Sequence, residues 1–340
     1  MKIRRNLVLM VIALLVMSML SGCTSSGEGD SAQSGEAVDT YVLNFGHGGS
    51  EETAQQVGAL AMKEYIEANS NGKVEVNVYP SNQIGNDREL VESLQDGSLE
   101  MCLANSVQAN FINDAIVYDL YFNFQNIDDA INKFNNDEEF FSIMSEKYDE
   151  QGFKLAGFSV HGFRQITANK PIKTPEDLAG LTFRTQENKY HILGFQGMGA
   201  TPTPFAFNEL YTALQQGTVD AQENPIELIY SQKFYEQQDY VTMSNHQQQV
   251  QTWLVSKMVY DNLPEDIKQI VDDGIKVGCE AAQDYALSME ESWRNEIEEY
   301  GVTFVELTDD EYNTFKNSVG DQWEEIKSTV SSEVWEAYTE

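Results

Sequence analysis

The chain has 340 residues, of which 21 are basic and 55 acidic, for a formal charge of −34 at neutral pH. A surface of that sign repels nucleic acid and anionic lipid, so neither is an electrostatic partner. Three cysteines are too few for a disulfide scaffold, and this length buries a large core, more naturally as two lobes than as one.

The first element is a leader. Lys2, Arg4 and Arg5 precede Leu7–Leu20, an uncharged apolar run of 14 residues. As a helix that run spans about 21 Å, short of the roughly 30 Å hydrocarbon core, so it fits a cleaved signal peptide better than a permanent span. Leu20-Ser21-Gly22-Cys23 resembles the lipobox of bacterial lipoproteins, in which the cysteine is lipidated and becomes the mature N-terminus; an ordinary small-residue cleavage site is the alternative. Residues 1–23 thus read as a lipoprotein signal and 24–40 as a small, polar, flexible tether. Without the signal, 18 basic residues face 55 acidic ones, a charge of −37, so acylation at Cys23 and not charge would hold the protein at the outer face of a membrane.

From Tyr41 onward the pattern alternates. YVLNFGHG reads as a strand ending in glycines. SEETAQQVGALAMKEYIEANSNG reads as an amphipathic helix, with Ala54, Val57, Ala61 and Tyr65 at helical spacing and Asn71-Gly72 as its stop. KVEVNVYP is a period-2 strand closed by Pro80, DRELVESLQDG a second helix, and SLEMCLAN a buried strand. This β-α-β-α-β order predicts a parallel sheet with helices on its faces. FKLAGFSVHG and GFRQITAN read as two strands, TPEDLAG as a short helix and LTFRT as another strand. FAFNELYTALQQG is a helix capped by glycine, and TVDAQENP a strand with its turn. Pro264–Tyr300 keeps helical periodicity over about 54 Å if unbroken, enough to back two lobes; two helices broken near Gly274 or Gly278 are the alternative. Cys102 and Cys279 sit in apolar surroundings and read as buried free thiols.

Enzyme motifs are absent. There is no G-x-x-x-x-G-K-[ST], no H-E-x-x-H, and Gly157–Gly162 misses G-x-S-x-G by one residue. His47, His161, His191 and His246 lack metal-ligand spacing, so no catalytic residue, metal or cofactor is assigned. His47–Ser50 at a strand end reads as a turn whose amides approach a ligand.

After Arg5 there are four arginines: Arg88, Arg164, Arg184 and Arg294. Arg184 alternates with Phe183 on a strand, and its planar fork of donors suits either a carboxylate ligand or an internal ion pair. Arg164, near Gly162 and Lys170, reads as lying on a more exposed edge. Asn224, in QENP, ends a strand where open α/β sheets bind ligands.

The ordered set GKVEVNVYPSNQIGNDRELVESLQDGSLEM, GFRQITANKPIKTPEDLAGLTFR and MGATPTPFAFNELYTALQQGTVDAQENP resembles the solute-binding proteins of tripartite ATP-independent periplasmic (TRAP) transporters. The resemblance implies an α/β, two-lobed periplasmic-binding-protein-like fold with one long helix spanning both lobes. Lobe I would be 41–162 plus about 250–289, and lobe II 163–249 plus about 290–340. It implies a small organic-acid ligand handed to a cation-driven TRAP permease. Arg184 would bind the ligand carboxylate, joined by Asn224 and by Arg164 as a second cation, with Phe207 against the carbon skeleton. His47, Asp87 and Asn105 would contribute from the first lobe. Sialic-acid-binding members carry glutamate where Asn105 stands and asparagine where Glu187 stands. That exchange argues against sialic acid and leaves hexuronates, aldonates and C4-dicarboxylates. A sugar-acid enzyme using His47, or a sensory receptor for the same ligand, are the competing readings.

Overall fold

Alternation in the first third of the chain becomes a parallel β-α-β-α-β unit. In the computed structural model, which describes residues 40–339, β1 (Tyr41–Gly46) lies between β2 (Val74–Tyr79) and β3 (Met101–Ala104). Helices α1 (Ala54–Asn69) and α2 (Asp87–Asp96) are the crossovers. Asn86 and Glu89 form a capping box at the start of α2, and Gly97 ends it in the left-handed conformation. The signal segment, Cys23 and the tether through residue 39 lie outside the described residues.

Two short helices follow, α3 (Ile127–Ile131) and α4 (Glu138–Asp149), and then the long strand β4 (Phe153–Ala168). The second half of the chain adds α5 (Pro175–Leu178), β5 (Thr182–Thr185), α6 (Lys189–Gly197), β6 (Thr201–Pro204), α7 (Leu210–Gln215), β7 (Ala221–Pro225), α8 (Ile226–Ser231) and the 17-residue β8 (Tyr240–Ser256). Last come α9 (Lys257–Asp261), α10 (Glu265–Tyr300), β9 (Thr303–Glu306), α11 (Asp309–Ser318), α12 (Gly320–Thr329) and α13 (Ser332–Thr339). The strands run in the order β2-β1-β3-β8-β4-β7-β5-β6, with β9 also on β8. β4 and β8 are antiparallel and pass through the whole sheet. Their stretch around Phe153–Val160 and Val250–Ser256 carries β1–β3, and their stretch around Arg164–Ala168 and Tyr240–Gln247 carries β5–β7 and β9.

Residues 153–168 form one strand where the sequence suggests two. Gly162, at φ 89°, lets the chain bend through a bulge between Val160 and Phe163 without leaving the sheet. Arg164 is corrected as well. It is buried, because β4 lies between β7 and β8 and is not an edge. The helix expected over 205–217 begins as a single 3₁₀ turn, Phe207–Glu209, before α7.

Helix α10 is continuous for 36 residues and touches both halves. Ile267, Val271 and Ile275 pack with Leu43, Phe45 and Val76, while Trp293 and Ile297 pack with Leu210 and Ile229. Its glycines do not break it, because they let two helices touch. A Cβ at Gly58 of α1 would stand 2.5 Å from the Gly278 carbonyl oxygen, and one at Gly274 would stand 2.4 Å from Ile66. The C-terminal helices divide similarly: Phe315 and Val319 pack with Phe183 and Phe195, whereas Ile326, Val334 and Tyr338 pack with Phe134, Phe140 and Tyr148. Cys102 and Cys279 are both buried free thiols. Replacing Gly58 by alanine forces a methyl against backbone, and urea denaturation should show a loss of about 1–3 kcal/mol; an unchanged midpoint would show that the α1–α10 contact yields freely.

Candidate functional site

The ends of several strands converge on one cleft. The turn after β1 supplies Gly48 and Gly49, the first turn of α2 supplies Asp87, and the end of β3 supplies Asn105. From the other half come Arg164 of β4, Arg184 of β5, Asn224 of β7, Phe207 and Leu228, with Gln249 and Gln251 from β8 between them. An adjoining space shares Asp87, Arg184, Gln186 and Phe207 and reaches Glu187. Seven of the eight residues expected from sequence thus line these two spaces. His47 stands behind the wall, buried, with Nε2 2.8 Å from Gln56 Oε1.

The two arginines differ in what holds them. Arg164 donates from Nε and Nη2 to the Glu223 carboxylate, from Nη2 to Asn224 Oδ1 at 3.0 Å, and from Nη1 to Gln249 Oε1. Arg184 is 2% exposed and donates from Nε and Nη2 to a single acceptor, the Phe205 carbonyl, at 3.3 and 2.9 Å. Its Nη1 has no partner among the described residues. Burial pushes the Arg184 guanidinium down to about 10, opposed by Glu223, Asp87 and Glu187, so it stays charged at neutral pH. A buried cation on the lining of a cavity with three of its five N–H donors unused has unmet hydrogen-bonding demand, and an anionic oxygen meets it best.

Glu223 fixes this difference. Burial alone would push its carboxyl up, but Arg164, a hydrogen bond from His246 Nε2 at 3.2 Å, and His191 hold it well below the usual carboxylate range. His191 Nε2 in turn lies 3.1 Å from Asp119 Oδ1, which anchors the network to the first half of the chain. Asp87 accepts from Asn105 Nδ2 at 2.9 Å; burial pushes its carboxyl up, eased by that amide and by Arg184.

Sequence reasoning missed Gln55, Gln186, Gln249, Gln251, Glu223 and Glu227. One signal was available: His246–Gln251 places four glutamines in an element long enough to be central, and buried amides require partners. Glu227 has no local signature. Its Oε1 accepts from the Ala54 backbone N–H at 2.6 Å at the start of α1, and its Oε2 lies 3.2 Å from His161 Nδ1. A carboxylate at a helix N-terminus is favourable, and here it ties α8 to the helix that follows the Gly48–Gly49 wall.

Glu223→Gln removes the counter-ion of a buried guanidinium and should cost about 3–5 kcal/mol at neutral pH. The folded carboxyl titrates below the unfolded one, so its contribution is present above about pH 4.3 and fades as pH falls. Thermal melts of wild type and variant should therefore converge on acidification below that value; a gap that widens there would contradict this assignment.

Among the described residues no cluster of histidine, cysteine or acidic side chains is placed to hold a metal ion, and no helix is long and apolar enough to cross a membrane. Residues 45–329 match the family model described as bacterial extracellular solute-binding protein, family 7. The chain is 33% identical over 304 residues to the C4-dicarboxylate-binding periplasmic protein DctP of Rhodobacter capsulatus, covering 88% of each. Its fold matches a TRAP periplasmic solute-binding protein from Shewanella oneidensis with bound succinate, at TM-score 0.84 and 27% identity, covering 88% of this chain and 98% of that one. It also matches the sugar acid binding protein DctPAm from Advenella mimigardefordensis in complex with galactonate, at TM-score 0.84 and 28% identity, covering 89% and 97%. The long helix, the two halves of the sheet and the cleft of strand ends are thus those of a transport receptor and not of an enzyme, and the chain belongs to the solute-binding proteins of TRAP transporters.

Proposed function

We propose that the protein is a lipid-anchored receptor on the outer face of a membrane. It captures a carboxylate-bearing small solute between two lobes and presents it to a cation-driven TRAP permease. The observation that carries this reading is the buried, unpartnered Nη1 of Arg184, a residue that lines the cavity. Charge-assisted hydrogen bonds contribute about 1.5–3 kcal/mol each, so a two-pronged contact supplies much of the roughly 8 kcal/mol of a micromolar complex. The ligands named for the relatives, a C4-dicarboxylate, succinate and galactonate, all carry a carboxylate, which supports the same class here.

In this reading lobe I comprises 41–162 plus about 250–289 and lobe II 163–249 plus about 290–340, with α12 and α13 strapped back across lobe I. Asp87 and Asn105 then approach the ligand from one side, Arg184, Asn224 and Phe207 from the other, and binding closes the lobes by a hinge motion. Arg164 aligns Asn224 and Gln249, to both of which it donates. Cys23 carries the lipid, and the polar segment after it lets the receptor stand clear of the bilayer.

Arg184→Ala should weaken binding of the cognate acid by about 2–5 kcal/mol in titration calorimetry, and Arg184→Lys should not restore it, since an ammonium lacks the planar fork. Unchanged affinity in both variants would remove Arg184 from the ligand. Cys23→Ser should move the protein from the membrane fraction to the soluble one on cell fractionation; retention on the membrane would refute the anchor.

A further inference from the structure

The charges and amides around the cavity select among carboxylates. We infer that the site takes a polyhydroxylated acid with a single carboxylate and rejects its dicarboxylate counterparts, with Asp87 as the discriminating residue. This rests on the receptor reading above.

Three cations reach the two spaces, and two of them are neutralised. Arg164 is paired with Glu223 in the buried network, and Arg88, exposed at the outer rim, pairs with Glu92 at 3.0 Å. Among the described residues Arg184 is the one arginine with a buried nitrogen, Nη1, that has no partner; Arg88 meets Glu92 through Nε, and its remaining donors are at the exposed rim. Against Arg184 stand two carboxylates with no ion pair among the described residues: Asp87, which accepts from the Asn105 amide, and Glu187. One ligand carboxylate satisfies Arg184. A second finds no further buried cation with unmet donors among the described residues and lies instead within a space shared with Asp87, where like charges repel more strongly than in bulk water.

The remaining polar groups suit hydroxyls. Gln186 and Gln251 are buried, and their side-chain amides take no partner among the described residues, so each offers both a donor and an acceptor. The Gln249 side chain accepts from Arg164 through Oε1, which leaves its amide nitrogen free to donate. A hydroxyl can accept from such an amide and donate to Asp87 at once, whereas a carboxylate can only accept. Phe207 and Leu228 provide apolar faces for the C–H side of a polyol.

The test is titration calorimetry on the full chain with acids matched in carbon number. Erythronate is compared with tartrate, which replaces the terminal hydroxymethyl by a carboxylate, and with butyrate, which lacks the hydroxyls. Galactonate is compared with galactarate and hexanoate in the same way, with succinate and galacturonate added. The tightest single-carboxylate polyol should exceed both its dicarboxylate and its deoxygenated counterpart by about 100-fold. Asp87→Asn should narrow the first gap at least about tenfold, chiefly by admitting the dicarboxylate. Succinate or a hydroxylated diacid binding as tightly as every polyol monoacid would overturn the proposal, and the wild-type panel decides this whether or not the variant folds. A gap unchanged in folded Asp87→Asn would overturn the role of Asp87. If none of these acids, of either class, binds at all, it is the receptor reading itself that fails.

Discussion

The candidate site is built around a buried ion pair, Arg164 with Glu223. Arg164 of β4 and Glu223 of β7 lie on neighbouring strands, two positions apart in register, buried within the sheet. Burying either alone would be prohibitive, and together they cancel. Because the Glu223 carboxylate takes its hydrogen bonds from Arg164 and His246, it offsets the Arg184 charge without occupying that guanidinium's donors. One arginine is thus satisfied while its neighbour keeps an unmet donor, which is the arrangement the proposed carboxylate contact would use.

Much of this architecture was legible in the sequence. The first parallel unit follows from alternating periodicities, and α10 from apolar spacing that continues through Gly274 and Gly278. Arg184 could be placed because Phe183, its strand neighbour, had to face the core, and Phe183 does pack there with Phe195. The motif resemblance then singled out residues that line the two spaces. Periodicity gives the face a side chain occupies, not the strand beside it. Arg164 was therefore misjudged: its environment is set by β7 and β8, whose partner residues Glu223 and Gln249 lie 59 and 85 positions away. Glu227 and Ala54, 173 residues apart, are a contact that only the folded chain reveals.

The same long-range contacts explain how loops from both halves stay in register. The Gly48–Gly49 turn precedes α1, whose first N–H is held by Glu227 of α8 immediately beyond Asn224. Behind it His161, Ser159 and Trp253 extend a buried hydrogen-bonded chain across β4 and β8. Polar groups in such a chain are costly unless all are met, so this seam favours one relative placement of the walls.

The uninterrupted passage of β4 and β8 through both halves has a mechanical corollary. The halves share two stiff ribbons and a rod, and are joined again where α11 meets α12, so relative movement must be taken up largely as twist and flexure, with the bulges near Gly162 the irregular points of the ribbons. Such a joint behaves as a leaf spring: its travel is short, its axis is dictated by the strands, and departure from its resting shape is resisted elastically.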